Sequence, residues 1–324
     1  MLHFDAAAVQ RALPWDRLIP ALRQAFIRGC EVPARHAHAV GREGTALLMP
    51  AWRAGGFLGV KTVTIFPGNG ALALPGVHAV YTLFSATTGV PLAVMDGSEL
   101  TARRTAAASA LAASLLARPD ASRLVLVGAG RVASLLPGAL RSVLPGLRDV
   151  SVWNHRAQGA EKLAAMLSGQ GFNARATPDL QAAVQQAHVV SCATLSTQPL
   201  VQGAWLQFGA HLDLIGSFTP TMREADGACF ARSRVFVDIE EALAKAGDVL
   251  QAVAEGAFTP QALQGTLASL CLGDGPVNRQ GRQGRQGRQT PREITLFKSV
   301  GTALEDLAAA ELVLAAADNP PSSA

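Results

Sequence analysis

Cysteine is scarce and scattered: the four residues at 30, 192, 229 and 271 form no Cys-x-x-Cys pair, and four in 324 residues make no disulfide scaffold. They read as buried, reduced thiols. No grouping of His, Cys, Asp and Glu has metal-ligand spacing, and no Ser/His/Asp order or paired-carboxylate pattern stands out, so no metal is expected. Charged residues make up 16%, below the roughly 25% of an average soluble domain, while 49% are hydrophobic. That composition excludes disorder driven by charge and supplies a large core. Aromatic residues are 5%, with a single tyrosine and no basic stripe interleaved among them, which leaves no platform for nucleic acid. The net charge of +4 is no exception, since Arg279, Arg282, Arg285 and Arg288 sit in one short tract and match the whole excess of 28 basic over 24 acidic residues. No apolar run reaches the roughly 18 residues that span a bilayer, and the longest candidate is interrupted by Asp306 and Glu311. The start, MLHFDAAAVQRALPW, has an acid at Asp5 and no basic stretch ahead of an apolar one. The expected compartment is the cytoplasm, without membrane attachment.

At about 100 to 200 residues per domain, the length suggests two domains. The expected border is Arg118-Pro119-Asp120-Ala121-Ser122, a helix stop and turn between an Ala-rich helix and an apolar strand. Residues 1–118 read as α+β, with a helix around Trp15 to Gly29 and strand-like runs at Thr45 to Met49, Gly56 to Ile65 and Ala79 to Ser85. From 119 to 293, apolar runs at Leu124 to Val127, Val150 to Trp153, His188 to Ala193, His211 to Ile215 and Val235 to Ile239 alternate with helical stretches. Such alternation predicts parallel βαβ units. The first of those helices carries Pro137 about two turns in and is expected to kink there. Helical spacing returns over 294–317, a segment expected to pack back onto the first domain. The tract 279–289 is an Arg-Gln-Gly repeat with nothing apolar to bury and reads as a solvated loop.

Leu124-Val-Leu-Val-Gly128-Ala-Gly130-Arg131-Val132-Ala133 is a strand running into a glycine turn and a helix, the context a dinucleotide fingerprint needs. Gly128 permits the tight turn, Gly130 lets a pyrophosphate approach the backbone, and Ala133 packs closely. The helix start at Arg131 and Val132 offers N–H groups and a positive dipole end to phosphate. The next strand ends at Asn154-His155-Arg156, where an NAD site would place an acid for the ribose 2′-hydroxyl. Arg156, with His155, instead suits a 2′-phosphate, which favours NADPH, with NADH as the alternative.

Four separated stretches occur in a telling order: Gly59-Val60-Lys61 with Phe66-Pro67-Gly68-Asn69, Arg104-Thr105-Ala106-Ala107, the Gly128 turn, and Phe297-Lys298-Ser299-Val300-Gly301. Together they resemble the ornithine cyclodeaminase and mu-crystallin family over nearly the whole chain. The resemblance implies a fold of class α/β: a Rossmann-type doubly wound parallel sheet domain, plus an α+β domain for substrate binding and dimerisation completed by the C-terminal helix. A homodimer follows from it as well. The family holds a substrate α-carboxylate with two arginines and a lysine, which by motif are Arg35, Lys61 and Arg104 here. Lys61 and Arg104 are thereby the catalytic candidates, the lysine as proton donor. Taken singly, each of these would read as a solvated surface cation, although an unpaired ammonium in the apolar run around Lys61 is expensive to bury. Ala193, Thr194 and Gly301 fall near the nicotinamide by the same resemblance, and His78 is a weaker candidate for substrate contact.

One position departs from the cyclodeaminases. Matching Gly216-Ser217-Phe218-Thr219-Pro220 to them puts Phe218 where they carry a catalytic aspartate, and phenylalanine accepts no proton. An apolar ring suits an already cyclic substrate, and the surrounding motifs look most like the branch that reduces 1-pyrroline-2-carboxylate and 1-piperideine-2-carboxylate to L-proline and L-pipecolate. The expected ligand is thus a small cyclic imino acid. The alternatives are ornithine cyclodeamination or a related amino acid dehydrogenation, and a non-catalytic, crystallin-like NADP-binding role.

Overall fold

A computed structural model describes residues 1–273 and 287–318. The chain forms two compact units, Met1–Thr105 together with the stretch from Thr302 onward, and Ala106–Gly301. The first unit holds β1 (Leu2–Phe4), α1 (Ala6–Ala12), α2 (Trp15–Arg28), β2 (His36–Val40), β3 (Gly44–Trp52), β4 (Phe57–Ile65), β5 (Val77–Ser85) and β6 (Pro91–Asp96), and α3 (Gly97–Leu116) leads out of it. The second holds β7 (Arg123–Val127), α4 (Arg131–Val143), β8 (Asp149–Trp153), α5 (Ala157–Gly169), β9 (Asn173–Ala176), α6 (Leu180–Gln186), β10 (Val189–Cys192) and β11 (His211–Leu214). It continues through α7 (Gly227–Ala231), β12 (Ser233–Val237), α8 (Ala242–Lys245), α9 (Gly247–Ala254), β13 (Gly265–Thr266), α10 (Leu267–Leu272) and β14 (Ile294–Lys298). The chain then returns to the first unit as α11 (Ala303–Asp318).

The first sheet has the order β1-β6-β5-β4-β3-β2, antiparallel except where β1 lies beside β6. Side chains alternate across its faces as the two-residue period requires. The register row Met49, Lys61, Tyr81, Met95 faces one way, and the neighbouring row Leu48, Thr62, Val80, Asp96 faces the other. The first row is buried, with α11 packed on β3 and β4 and α2 against α11. Leu48 and Val80 of the second row are exposed. The Tyr81 ring lies so close over β4 that a Cβ at Gly59 would fall 1.8 Å from its hydroxyl.

The second sheet has eight parallel strands in the order β13-β12-β14-β11-β10-β7-β8-β9. The chain builds outward from β7 through β8 and β9, then crosses to β10 on the other side. That reversal marks the switch point where open α/β sheets bind ligands at the carboxyl ends of their strands. Apolar residues of the central strands, among them Val125, Val127, Val190, Cys192, Leu212, Leu214 and Leu296, pack with Leu180, Val184, Phe230, Val249 and Phe258 from the covering segments.

Two expectations are corrected. The 294–317 stretch is not one helix: Ile294–Lys298 is a strand between β11 and β12 with all five residues buried, and helix begins only at Ala303. A short apolar run fits both periods, and burial on both faces selects the strand. Helix α4 runs from Arg131 to Val143 with Pro137 inside it. Of the basic tract, residues 279–286 lie outside the described residues, whereas Arg288 is anchored: its guanidinium donates to the carbonyls of Leu116, Glu293 and Ala210. As for the border, the two units part inside α3, and the Arg118–Asp120 turn follows the end of that helix.

A methyl group at Gly59 has no room beside Tyr81, so Gly59→Ala is expected to destabilise the protein by about 1 to 3 kcal/mol, read as a fall in melting temperature. Gly70→Ala, where nothing lies within 4 Å of the added carbon, is expected to leave the transition nearly unchanged.

Candidate functional site

In the first unit, β4 carries Lys61 onto the buried face of the sheet and α3 (Gly97–Leu116) carries Arg104 in its third turn. Both side chains end on α11. The Lys61 Nζ lies 2.7 Å from Asp306 Oδ2, Arg104 Nε donates to Asp306 Oδ1 at 2.9 Å, and Arg104 Nη1 donates to Glu305 Oε2 at 2.5 Å. All four residues are at least nine-tenths buried. Burial drives the Lys61 ammonium down to about 8, with Arg104 adding to the effect while Asp306 and Glu305 resist it. For Arg104, burial works the same way, but the two carboxylates outweigh it and hold the guanidinium above its ordinary range. Burial opposes the Asp306 charge too, and there Lys61 and Arg104 prevail, keeping the carboxyl ionised. The result is an ammonium poised to exchange a proton next to a guanidinium that stays charged. Nη2 of Arg104 is engaged by neither acid and can meet a ligand carboxylate.

Arg35 is half-buried in the segment leading into β2. His78 pairs with Thr64 in register and therefore projects from the face opposite Lys61. Glu305 and Asp306 went unread in the sequence. Their signal is an acidic pair in the first turn of a helix that is otherwise mostly Ala, Leu and Val.

In the second unit, β7 runs into the glycine turn. Gly128 has φ +110°, and a Cβ there would sit 2.6 Å from the Ala193 carbonyl oxygen, so only glycine fits. Nothing lies within 4 Å of a Cβ at Gly130, which leaves the turn open above the N-terminus of α4. Ala133 is 1% exposed. Tight first glycine, open second glycine and buried third small residue are what a dinucleotide pyrophosphate requires, and the first-turn amides at Arg131 and Val132 complete the cradle. At the end of β8, Asn154 Nδ2 donates to the Arg156 carbonyl, while His155 and Arg156 are exposed at the start of α5.

After β10, the Ala193 amide bonds the Val127 carbonyl, and the amide and hydroxyl of Thr194 both donate to Glu224 Oε1. Gly301 has φ +76°, and its amide donates to Asp238 Oδ2 at 2.6 Å. Phe218, on the loop after β11, is 44% exposed. Among the described residues no group of three or more His, Cys, Asp or Glu is placed to hold a metal ion.

A model of the ornithine cyclodeaminase/mu-crystallin family matches residues 5–319. The chain is 41% identical over 302 residues to a Delta(1)-pyrroline-2-carboxylate reductase of Paracoccus denitrificans, covering 93% of this chain and 92% of that one. It is 33% identical over 306 residues to the mouse ketimine reductase mu-crystallin, covering 91% and 90%. Among solved structures, a Thermococcus litoralis Delta(1)-pyrroline-2-carboxylate reductase in complex with NADH and L-proline superposes with a TM-score of 0.89 at 29% identity over the full length of both chains. An archaeal alanine dehydrogenase dimer with bound NAD gives the same TM-score and identity, covering 100% of this chain and 98% of that one.

Removing one member of a buried ion cluster strands the others. Asp306→Asn is expected to cost about 3 to 5 kcal/mol, measured by denaturant unfolding, whereas Glu311→Gln, which breaks the partly exposed Arg53 pair, costs about 1 kcal/mol or less.

Proposed function

Because the chain belongs to the ornithine cyclodeaminase/mu-crystallin family, we propose that it reduces the cyclic imino acids 1-pyrroline-2-carboxylate and 1-piperideine-2-carboxylate to L-proline and L-pipecolate with NADPH. The protein is a nicotinamide-dependent oxidoreductase acting on C=N bonds. The observation that carries the finer reading is the buried cluster in which Arg104 keeps its charge while Lys61 titrates at about 8. Arg104 through Nη2, with Arg35, holds the substrate carboxylate and thereby orients the ring. Lys61 keeps the imine nitrogen protonated, which makes its carbon a better hydride acceptor. The reduced nicotinamide, when bound at the Gly128 turn, supplies the hydride. Arg156 and His155 at the end of β8, with no acid beside them, favour the 2′-phosphate of NADPH, although the solved relatives hold NADH and NAD. Phe218 supplies an apolar surface and no base, which suits imine reduction and disfavours loss of ammonia from an open-chain diamino acid.

The protein is further proposed to act as a homodimer. The face of the first sheet opposite Lys61 exposes Leu48, Trp52 and Val80, whereas α11 packs against β3 and β4. The alanine dehydrogenase relative is a dimer. Leu48→Glu with Val80→Glu is expected to yield monomers by light scattering, where the parent chain gives dimers.

Absorbance-monitored NADPH oxidation with each imine, and L-ornithine plus NAD as the opposing reaction, tests the activity. Fast oxidation with an imine and silence with ornithine is the expected result; silence with both imines overturns it, and cofactor binding without any turnover points to a storage role. Arg104→Lys keeps the charge but loses the fork, and should raise KM for the imine by about ten- to a hundredfold. The proton donor is active when protonated, so kcat/KM is expected to fall as pH rises through about 8.

A further inference from the structure

The mechanism above makes no use of a fully buried carboxylate in the second unit, Glu224. Its Oε1 accepts from the Thr194 amide at 2.7 Å and the Thr194 hydroxyl at 2.9 Å, and its Oε2 accepts from the Gly216 amide at 2.7 Å. One carboxylate therefore joins the loop that leaves β10 to the loop that leaves β11. The two loops approach so closely that a Cβ at Gly216 would lie 1.9 Å from the Thr194 carbonyl oxygen. Thr194 in turn borders the phosphate turn, its Cγ2 standing 3.2 Å from where a Cβ on Gly128 would be. β7 and β10 flank the switch point, so these loops form the floor of the crevice in which a dinucleotide lies.

The anchor is itself fixed. Asp248 Oδ1 accepts from the amides of Glu224 and Ala225, the Asp248 amide donates to Ser217 Oγ, and Ser217 Oγ donates to the Met222 carbonyl. Lys298, buried at the end of β14, donates to the Leu214 carbonyl and stands 3.8 Å from Asp248 Oδ2. At Glu224 itself the donors flank both oxygens, and only a group accepting at both satisfies them.

We propose that Glu224 is a positioning residue for the dinucleotide: its carboxylate ties the β10 and β11 loops together and sets the floor on which the nicotinamide half binds. This rests on the cofactor reading of the Gly128 turn. Glutamine is the same size but cannot replace it, because its amide nitrogen would confront an N–H of Thr194 or Gly216 and release one loop. Protonation does the same, since a carboxylic acid turns one acceptor into a donor. Burial pushes the Glu224 carboxyl up to about 7, with Asp248 adding to the rise while Lys298 and the Thr194 donors oppose it. The charged and titratable groups facing it are Asp248 from α9, Lys298 from β14 and Cys192 from β10.

The test is NADH affinity by fluorescence titration between pH 6 and 8.5, as about the range bracketing the shift, on the full chain. NADH lacks the 2′-phosphate and removes that titration from the measurement. In the wild type, affinity is expected to weaken about tenfold as pH falls through about 7. Glu224→Gln should show the weak affinity at every pH, and Glu224→Asp should recover part of the pH dependence. Because the wild-type profile needs no variant, a Glu224→Gln protein that does not fold leaves the inference exposed to refutation. Glu224→Gln binding NADH as the wild type does, or a wild-type profile flat across this range, overturns it while leaving the cofactor reading intact. Failure of the wild type to bind either NADH or NADPH removes the cofactor reading and this inference together. A KM for cofactor that rises in Glu224→Gln while kcat holds separates positioning from general loss of structure.

Discussion

Carrying an ammonium and a guanidinium out of water costs several kcal/mol for each ion unless partner charges come with them. In the first unit the partners come from the far end of the chain. Lys61 and Arg104 are buried against Asp306 and Glu305, and the contact between Arg104 and Asp306 spans 202 residues of sequence. The cluster thus obliges the chain, after completing the second unit, to return and place α11 on β3 and β4 with one turn facing the two cations. It also sets what the cations can do. Burial lowers the Lys61 ammonium to about 8 against the pull of the two carboxylates, while those carboxylates keep Arg104 charged. A carboxylate ligand entering such a cluster finds one cation that only binds and one that can also give up a proton.

The second unit solves a different problem with the same kind of residue. There the buried acids take backbone amides, with the Lys298 ammonium beside Asp248: Asp238 takes those of Val300 and Gly301, Asp248 those of Glu224 and Ala225, and Glu224 those of Thr194 and Gly216. Each acid closes a loop at the carboxyl end of the parallel sheet. Glycine makes those closures possible, since Gly128 and Gly216 occupy places where any Cβ would strike neighbouring backbone. Charge is arranged in the first unit and backbone in the second, as the proposed imino-acid and dinucleotide sites would require.

The sequence was most readable where local chemistry and fold agree. The five strands expected between 124 and 239 coincide with β7, β8, β10, β11 and β12 to within about two residues, because each is a buried apolar run bounded by turn residues. Of the strands missed, β1 has three residues and β6, Pro-Leu-Ala-Val-Met-Asp, has an apolar alternation that was passed over, while at others the pattern is silent. All five residues of β2 are exposed, β9 alternates Asn-Ala-Arg-Ala, and β13 has two residues, so none carries an apolar signature. β14 was hidden for the opposite reason, being apolar throughout and followed by a helix with the same composition. Of the site, the cations were legible through their motifs, but their acidic partners were not. Nothing local ties Asp306 to Lys61; only the return of α11 does.

The acids also bear on what Phe218 means. An absent carboxylate matters only if no neighbour can take its place, and Glu224 lies six residues further along the same loop. Its two oxygens already accept from three donors, and it is wholly buried. Asp213, at the end of β11, is likewise held between the hydroxyls of Ser109 and Ser191. Asp238 and Asp248 are occupied by amides. A general base must reach the proton it removes, and these four acids are wholly buried and tied to structural donors. Phe218, by contrast, is open to its surroundings. The loop therefore offers a ring surface and no base, and a reaction that needs only a protonated imine and a hydride asks for neither more nor less.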